Sequence, residues 1–263
     1  MTRTVSISRT FCLAQILTVM LCSIHGVLIA QNTTVSHATP VLVELFTSEG
    51  CSSCPPADLL LAKLEQLQPV KGADIIVLSE HVDYWEQGGW HDRFSSHQFT
   101  DRQTSYTNSL HVSNGDYTPQ IVVDGTDQFI GNDASSAIRS ITKASQTPKH
   151  TLTLSNVAVN GRRVSATLSG DSLPGKGDLY VVLVDALDTT DVKGGENSGH
   201  HLEHVDVARV MERIAGFKDF ASGSRSFNLT LPSNANTGHM RLVAFAQQGD
   251  QRAVVGVVSA PLP

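Results

Sequence analysis

The sequence predicts an α/β domain over residues 40–146, followed by an all-β, sandwich-like domain over residues 148–263, behind a leader of residues 1–30. Three observations predict this. Apolar strand runs alternate with amphipathic helix patterns as far as Lys143. Beyond Lys143 come short β-type runs parted by Gly, Asn, Ser and Pro, with few helix signals. Cys51-Ser52-Ser53-Cys54 falls at a strand-to-helix turn and holds the only cysteines left once the leader is gone.

The leader reads as a secretory signal. Arg3 and Arg9 form a basic start, Phe11 to Leu21 an apolar centre, and Leu28-Ile29-Ala30 a cleavage end. The apolar stretch is short and contains Gln15 and Thr18, so no stable membrane span is expected after processing. The expected location is the periplasm or the outside of the cell, where a disulfide persists. Net charge is −6 for the chain and becomes −8 when Arg3 and Arg9 leave with the leader. No basic run exceeds Arg162-Arg163, which excludes nucleic acid as an expected partner. No cofactor is implied.

Element by element, Val41–Phe46 is a buried strand. Ala57–Leu67 is helical with Leu60, Leu64 and Leu67 on one face, and Pro55 and Pro56 suit a first helical turn, where their missing N–H groups have no partner to lose. Asp74–Ser79 is a second buried strand, and the three elements make a right-handed βαβ unit with parallel strands. A polar, aromatic insertion precedes a helix over Ser96–Leu110. Gln120–Val123 and Gln128–Ile130 form a hairpin around Asp124-Gly125, and Asp133 caps a helix running to about Ala144. The second half offers seven strands: Thr151–Val159, Arg163–Leu168, Leu179–Asp185, His204–Ile214 (with a helix as the alternative there), Ser226–Leu231, Met240–Gln247 and Ala253–Val258. Seven short strands with turn residues between them suggest a sandwich.

The chemistry centres on Cys51 and Cys54. A helix N-terminus stabilises a thiolate, which points to redox work. The same pair also suits metal binding or a structural bridge, although a loop this short restrains the unfolded chain by only about 2 kcal/mol. Ligands of open α/β sheets bind beyond the carboxyl ends of the strands, which brings Cys51 and the segment His81-Val82-Asp83-Tyr84-Trp85 to one edge. His81 is a candidate for proton transfer or a third metal ligand, with loop-tying as the plain alternative. Trp85 and Trp90 make either an apolar wall beside the thiols or a small satellite core. Tyr117-Thr118-Pro119 stands before a strand, where a cis proline would present the backbone of Thr118 to a substrate and a trans proline would merely enter an edge strand. The cluster Glu196, His200, His201, Glu203 and His204 reads as a metal site, as a polar loop with His204 on a strand, or as a loop folded back over the first half.

These residues carry a resemblance. Glu44 through Asp58, His81-Val82-Asp83-Tyr84-Trp85, Tyr117-Thr118-Pro119-Gln120 and Gly195-Glu196-Asn197-Ser198-Gly199 together resemble an exported, thioredoxin-like bacterial family, domain of unknown function 1223 (DUF1223). The likeness spans nearly the whole chain after the leader and departs at His200, where the pattern implies an Arg. It implies a thioredoxin-like fold and no assigned reaction. The expected function is thiol–disulfide exchange with protein or small-molecule thiols and disulfides. Cys51 would attack, Cys54 resolve and His81 assist, while Thr118, Pro119 and Trp85 bind substrate. The alternatives are a copper-binding protein using Cys51, Cys54 and His81, or a non-catalytic adaptor.

Overall fold

The computed structural model describes residues 1–2, 38–221, 223–233, 235–249 and 252–263. The expected leader, residues 1–30, lies almost wholly outside the described residues. The first strand, β1 (Thr39–Thr47), is buried on both faces, as its unbroken apolar run requires. It leads through the cysteine loop into α1 (Pro55–Leu67) and then into β2 (Ala73–His81). β1 and β2 pair in parallel from Thr39↔Ala73 to Thr47↔His81, so both strands end at the same edge. α2 (His97–Ser109) starts where the Ser96 hydroxyl accepts from the N–H of Gln98. β3 (Gln120–Val123) and β4 (Asp127–Ile130) form the hairpin, and β3 runs antiparallel to β1. In α3 (Ala134–Ser145) the Asp133 carboxylate caps the N–H groups of Ser135 and Ser136.

The second half supplies β5 (Leu152–Asn160), β6 (Arg163–Gly170), β7 (Gly177–Asp191), β8 (His201–Gly216), β9 (Ser224–Thr230), β10 (Met240–Gln248) and β11 (Val254–Pro261). Each of the seven expected strands is present, but they do not assemble as expected. Four of them extend the first sheet into one eight-stranded mixed sheet, ordered β11-β10-β7-β8-β2-β1-β3-β4. The remaining three form a small sheet, β5-β6-β9.

This overturns the expected fold class, a thioredoxin-like α/β domain followed by an all-β sandwich. The outer side of β2 is not a free edge, because β8 lies beside it in parallel at Ser79↔Val207. An open edge presents unpaired backbone groups, and the second half covers it. The core crosses the expected boundary too. Leu42, Ile76, Leu78 and Phe99 pack in one cluster with Val182, Val184, Val243 and Phe245. Their alternate neighbours Val181, Leu183, Leu242 and Ala244 face the other way, onto Val164, Leu168 and Phe227 of the small sheet. The second layer of the expected sandwich is therefore part of a sheet that both halves share.

The face of α1 also differs from expectation. Ala57, Leu61 and Leu64 pack against β1, β2 and β3, while Leu67 is exposed and Leu60 only flanks the cluster. Among the described residues no helix is long and apolar enough to cross a membrane.

Candidate functional site

The site forms where β1 and β2 end together. Four residues past the last pair, Thr47↔His81, the chain reaches Cys51, and Cys54 is the residue just before α1. A disulfide joins Cys51 to Cys54, with Cα atoms 5.4 Å apart. The loop is tight: the N–H of Cys51 donates to Ser48 O at 3.1 Å, and the N–H of Cys54 donates to Cys51 O at 3.1 Å. Both cysteines are fully buried.

Three groups of residues enclose the disulfide. Thr118 Oγ1 donates to Cys51 Sγ at 3.4 Å and itself accepts from Trp85 Nε1 at 2.7 Å. Ser53 Oγ lies 3.4 Å from the same sulfur, and a disulfide sulfur can only accept. The Thr118–Pro119 peptide bond is cis. Thr118 thus touches Cys51, with Trp85 bonded to its hydroxyl and Pro119 next along the chain.

The second group is the tip of the β7–β8 hairpin. These strands, of 15 and 16 residues, pair out to Asp191↔His201 and carry residues 192–200 over the cysteine loop. Asn197 Nδ2 donates to Glu49 O at 2.9 Å and to Cys51 O at 3.0 Å. Glu196, at the surface, accepts from Ser52 N at 3.1 Å and Ser52 Oγ at 2.6 Å. The Ser52 hydroxyl first, and its N–H next, hold the Glu196 carboxyl below its ordinary range. Gly194 lies so close to the carbonyl of Gly89 that a Cβ would stand 2.6 Å from that oxygen. Of the three readings of this segment, the structure supports the loop folded back over the first half.

The third group lies beneath. His81 is fully buried, and its Nδ1 meets Asp92 Oδ2 at 2.7 Å. Asp92 also accepts from the N–H groups of Glu49 and Phe94, each at 2.9 Å. Burial alone would raise the Asp92 carboxyl, but the His81 ring and these N–H groups bring it down to about 2. The His81 ring packs edge-on against His204, with centroids 4.7 Å apart. His204 Nε2 lies 3.8 Å from Glu49 Oε1, and its Nδ1 lies 3.7 Å from Asp58 Oδ1. Both contacts are too long for hydrogen bonds and are ion pairs when the His204 ring is protonated. Thr47 Oγ1 donates to Asp58 at 3.0 Å and Trp90 Nε1 to Glu49 at 2.7 Å. Glu49 Oε1, His81 Nε2 and both His204 nitrogens have no hydrogen-bond partner.

The sequence pointed to His81 but not to its partner Asp92, a lone carboxylate in a polar insertion without a local signal. The polar contact of His81 is with Asp92, and its ring meets His204 edge-on. Asp83 turns away, accepting from Thr100 Oγ1 at 2.6 Å. Among the described residues no group of three His, Cys, Asp or Glu side chains is arranged to hold a metal ion. For the copper alternative, the two sulfurs are already bonded to each other.

The chain is similar to protein AGR_C_4864 from Agrobacterium tumefaciens, whose crystal structure aligns with a TM-score of 0.63 at 28% identity, covering 83% of this chain and 92% of that one. A domain of the outer membrane lipoprotein Omp28 from Porphyromonas gingivalis aligns with a TM-score of 0.26 at 14% identity, over 43% of this chain and 95% of that one. The human F-spondin reeler domain aligns at 0.20 and 12% identity, over 44% and 91%. Neither of these last two carries an argument. No curated protein matches the chain. The family described as "Protein of unknown function (DUF1223)" matches residues 42–247, well over half of the sequence, and the chain belongs to that family.

Proposed function

We propose that the protein exchanges thiols and disulfides through Cys51 and Cys54, acting on protein or small-molecule partners in the periplasm or outside the cell. The observation that carries this reading is the pair of hydroxyls, Thr118 Oγ1 and Ser53 Oγ, both 3.4 Å from Cys51 Sγ. Hydroxyl donors aimed at one sulfur stabilise the Cys51 thiolate when it is released from a mixed disulfide or, in the reverse direction, attacks a substrate disulfide. Cys54 is the N-cap of α1, and its carbonyl accepts from the N–H groups of Ala57 and Asp58. Pro55 and Pro56 offer no N–H to the Cys54 sulfur, so what favours a thiolate leaving there is the positive end of the helix dipole.

From the disulfide, the exchange runs as follows. A substrate thiolate attacks Cys51 Sγ, the Cys51–Cys54 bond breaks, and Cys54 leaves as a thiolate. A second substrate thiolate then attacks the substrate sulfur of the mixed disulfide and releases Cys51. The substrate is oxidised to a disulfide and the pair is reduced, with the two substrate protons ending on the cysteines or in solvent. The reverse sequence has Cys51 attacking and Cys54 resolving. Trp85 and the Thr118–Pro119 segment border the attacked sulfur and form the substrate side of the site.

The full burial of both sulfurs favours a second reading, a structural staple. Trapping decides between the two. Cys54→Ser should accumulate mixed disulfides at Cys51 when mixed with oxidised glutathione or a thiol-reactive protein, whereas Cys51→Ser should accumulate almost none. Equal failure of both variants to trap, with wild-type reduction seen only on global unfolding, would establish the staple. Preferential trapping at Cys54 would invert the assigned roles.

A further inference from the structure

Two buried carboxylates flank the cysteine loop in sequence. Glu49 precedes Cys51 by two residues and Asp58 follows Cys54 by four, and both carboxylates are buried. Negative charge so placed disfavours a thiolate at either cysteine. A cation placed between the two carboxylates offsets that effect.

We propose that His204 is a positioning residue for Cys51: carried in on β8, its ring sits between the Glu49 and Asp58 carboxylates that bracket the cysteine loop and offsets their charge, so that a thiolate can form at Cys51. This deepens the exchange reading above and rests on it.

The surrounding groups leave His204 as the basic side chain in that position. His81 is engaged by Asp92. Phe94, which packs edge-on to His204 with centroids 6.0 Å apart, carries Arg93 and Arg209 over its ring at 4.4 and 5.2 Å. Those guanidiniums pair with Asp188 and Asp185 respectively. Glu196 faces the loop from the hairpin tip, but at the surface, where solvent screens it. Burial works against the charged His204 ring, yet Asp58 above all, then Glu49 and Asp92, raise it above its ordinary value of 6.5. Its ion pairs are therefore complete below about pH 6.5 and are lost as pH rises through the folded-state value.

The test uses full-length protein with Cys12→Ser, Cys22→Ser and Cys54→Ser, which leaves Cys51 as the one thiol of the sequence. The rate of iodoacetamide reaction at Cys51 is followed against pH. Adding His204→Asn should raise the Cys51 inflection by about one unit, slowing the reaction near neutral pH about tenfold. Adding Glu49→Gln to that variant should restore most of the rate, a rescue that loss of packing alone does not produce. If His204→Asn does not fold, Glu49→Gln and Asp58→Asn alone serve, and each should speed the reaction. An unmoved inflection in a folded His204→Asn protein, or slower reaction in the carboxylate variants, overturns the role of His204. Failure of Cys51 to react at any pH in the folded protein overturns the exchange reading itself, and with it this inference.

Discussion

Asn197→Ala tests how the buried disulfide is reached. The amide of Asn197 donates to the carbonyls of Glu49 and Cys51 at 2.9 and 3.0 Å, and it ties the hairpin tip to the cysteine loop. A typical internal hydrogen bond contributes about 0.5–1.5 kcal/mol net, so losing both lowers the free energy of opening this contact by about 1–3 kcal/mol. At about 1.4 kcal/mol per factor of ten, the open population rises about 5- to 150-fold. Where opening and closing are fast beside the chemistry, the observed rate follows that population. The assay is the rate of native-state reduction by dithiothreitol, quenched by alkylation, with global stability measured separately in urea. The rate should rise by the stated factor and respond only weakly to low urea, because little surface is exposed. Glu196→Gln is the comparison: its contacts to Ser52 are at the surface and the change should be small. An unchanged rate in Asn197→Ala, or a rise that merely tracks global unfolding, would refute the reasoning.

Much of the local structure was legible in the sequence, and its assembly was not. The alternation in Val205–Arg213 marks a strand and says which residues are buried, but not against what. Ser79↔Val207 joins strands far apart in sequence, and no local pattern announces that pairing. The helical period of α1 placed Leu64 correctly. It offered Leu67, the last residue of the helix and exposed, where the sheet buries Leu61. β7 and β8 run past the hydrophobic core as a hairpin, with Leu187 half bare and His204 buried against the site, so their outer ends have polar sequences that resemble loop. For the site, Cys51 and Cys54 were legible because their spacing is itself the chemistry. His204 was legible only as a strand residue, since the carboxylates that give it a role come from the loop after β1 and from α1. Asn197 is an ordinary loop residue until the hairpin places it over the backbone of Cys51.

Two further perturbations probe the frame that holds the site. Gly125 has φ +66°, and a Cβ there would stand 2.2 Å from the carbonyl oxygen of Arg252, so Gly125→Ala should cost at least about 2 kcal/mol in urea unfolding. Glu80 is fully buried beside Glu44, with only Arg102 opposing at 3.6 Å, and neither of its oxygens has a hydrogen-bond partner. Burial first, then Glu44, raises its carboxyl well above 4.5, against the pull of Arg102. The folded chain therefore keeps a proton at Glu80 where the unfolded chain has released it, and stability falls as pH rises from about 4.5 toward the folded-state value. Glu80→Gln carries no such proton. It should match the wild type near pH 4 and gain on it with rising pH, by at most about 1.4 kcal/mol per pH unit. Urea midpoints from pH 4 to 8 measure the difference, and other titrating groups cancel between the two proteins. Parallel curves would mean that Glu80 is ionised in the fold and that Arg102 serves both carboxylates.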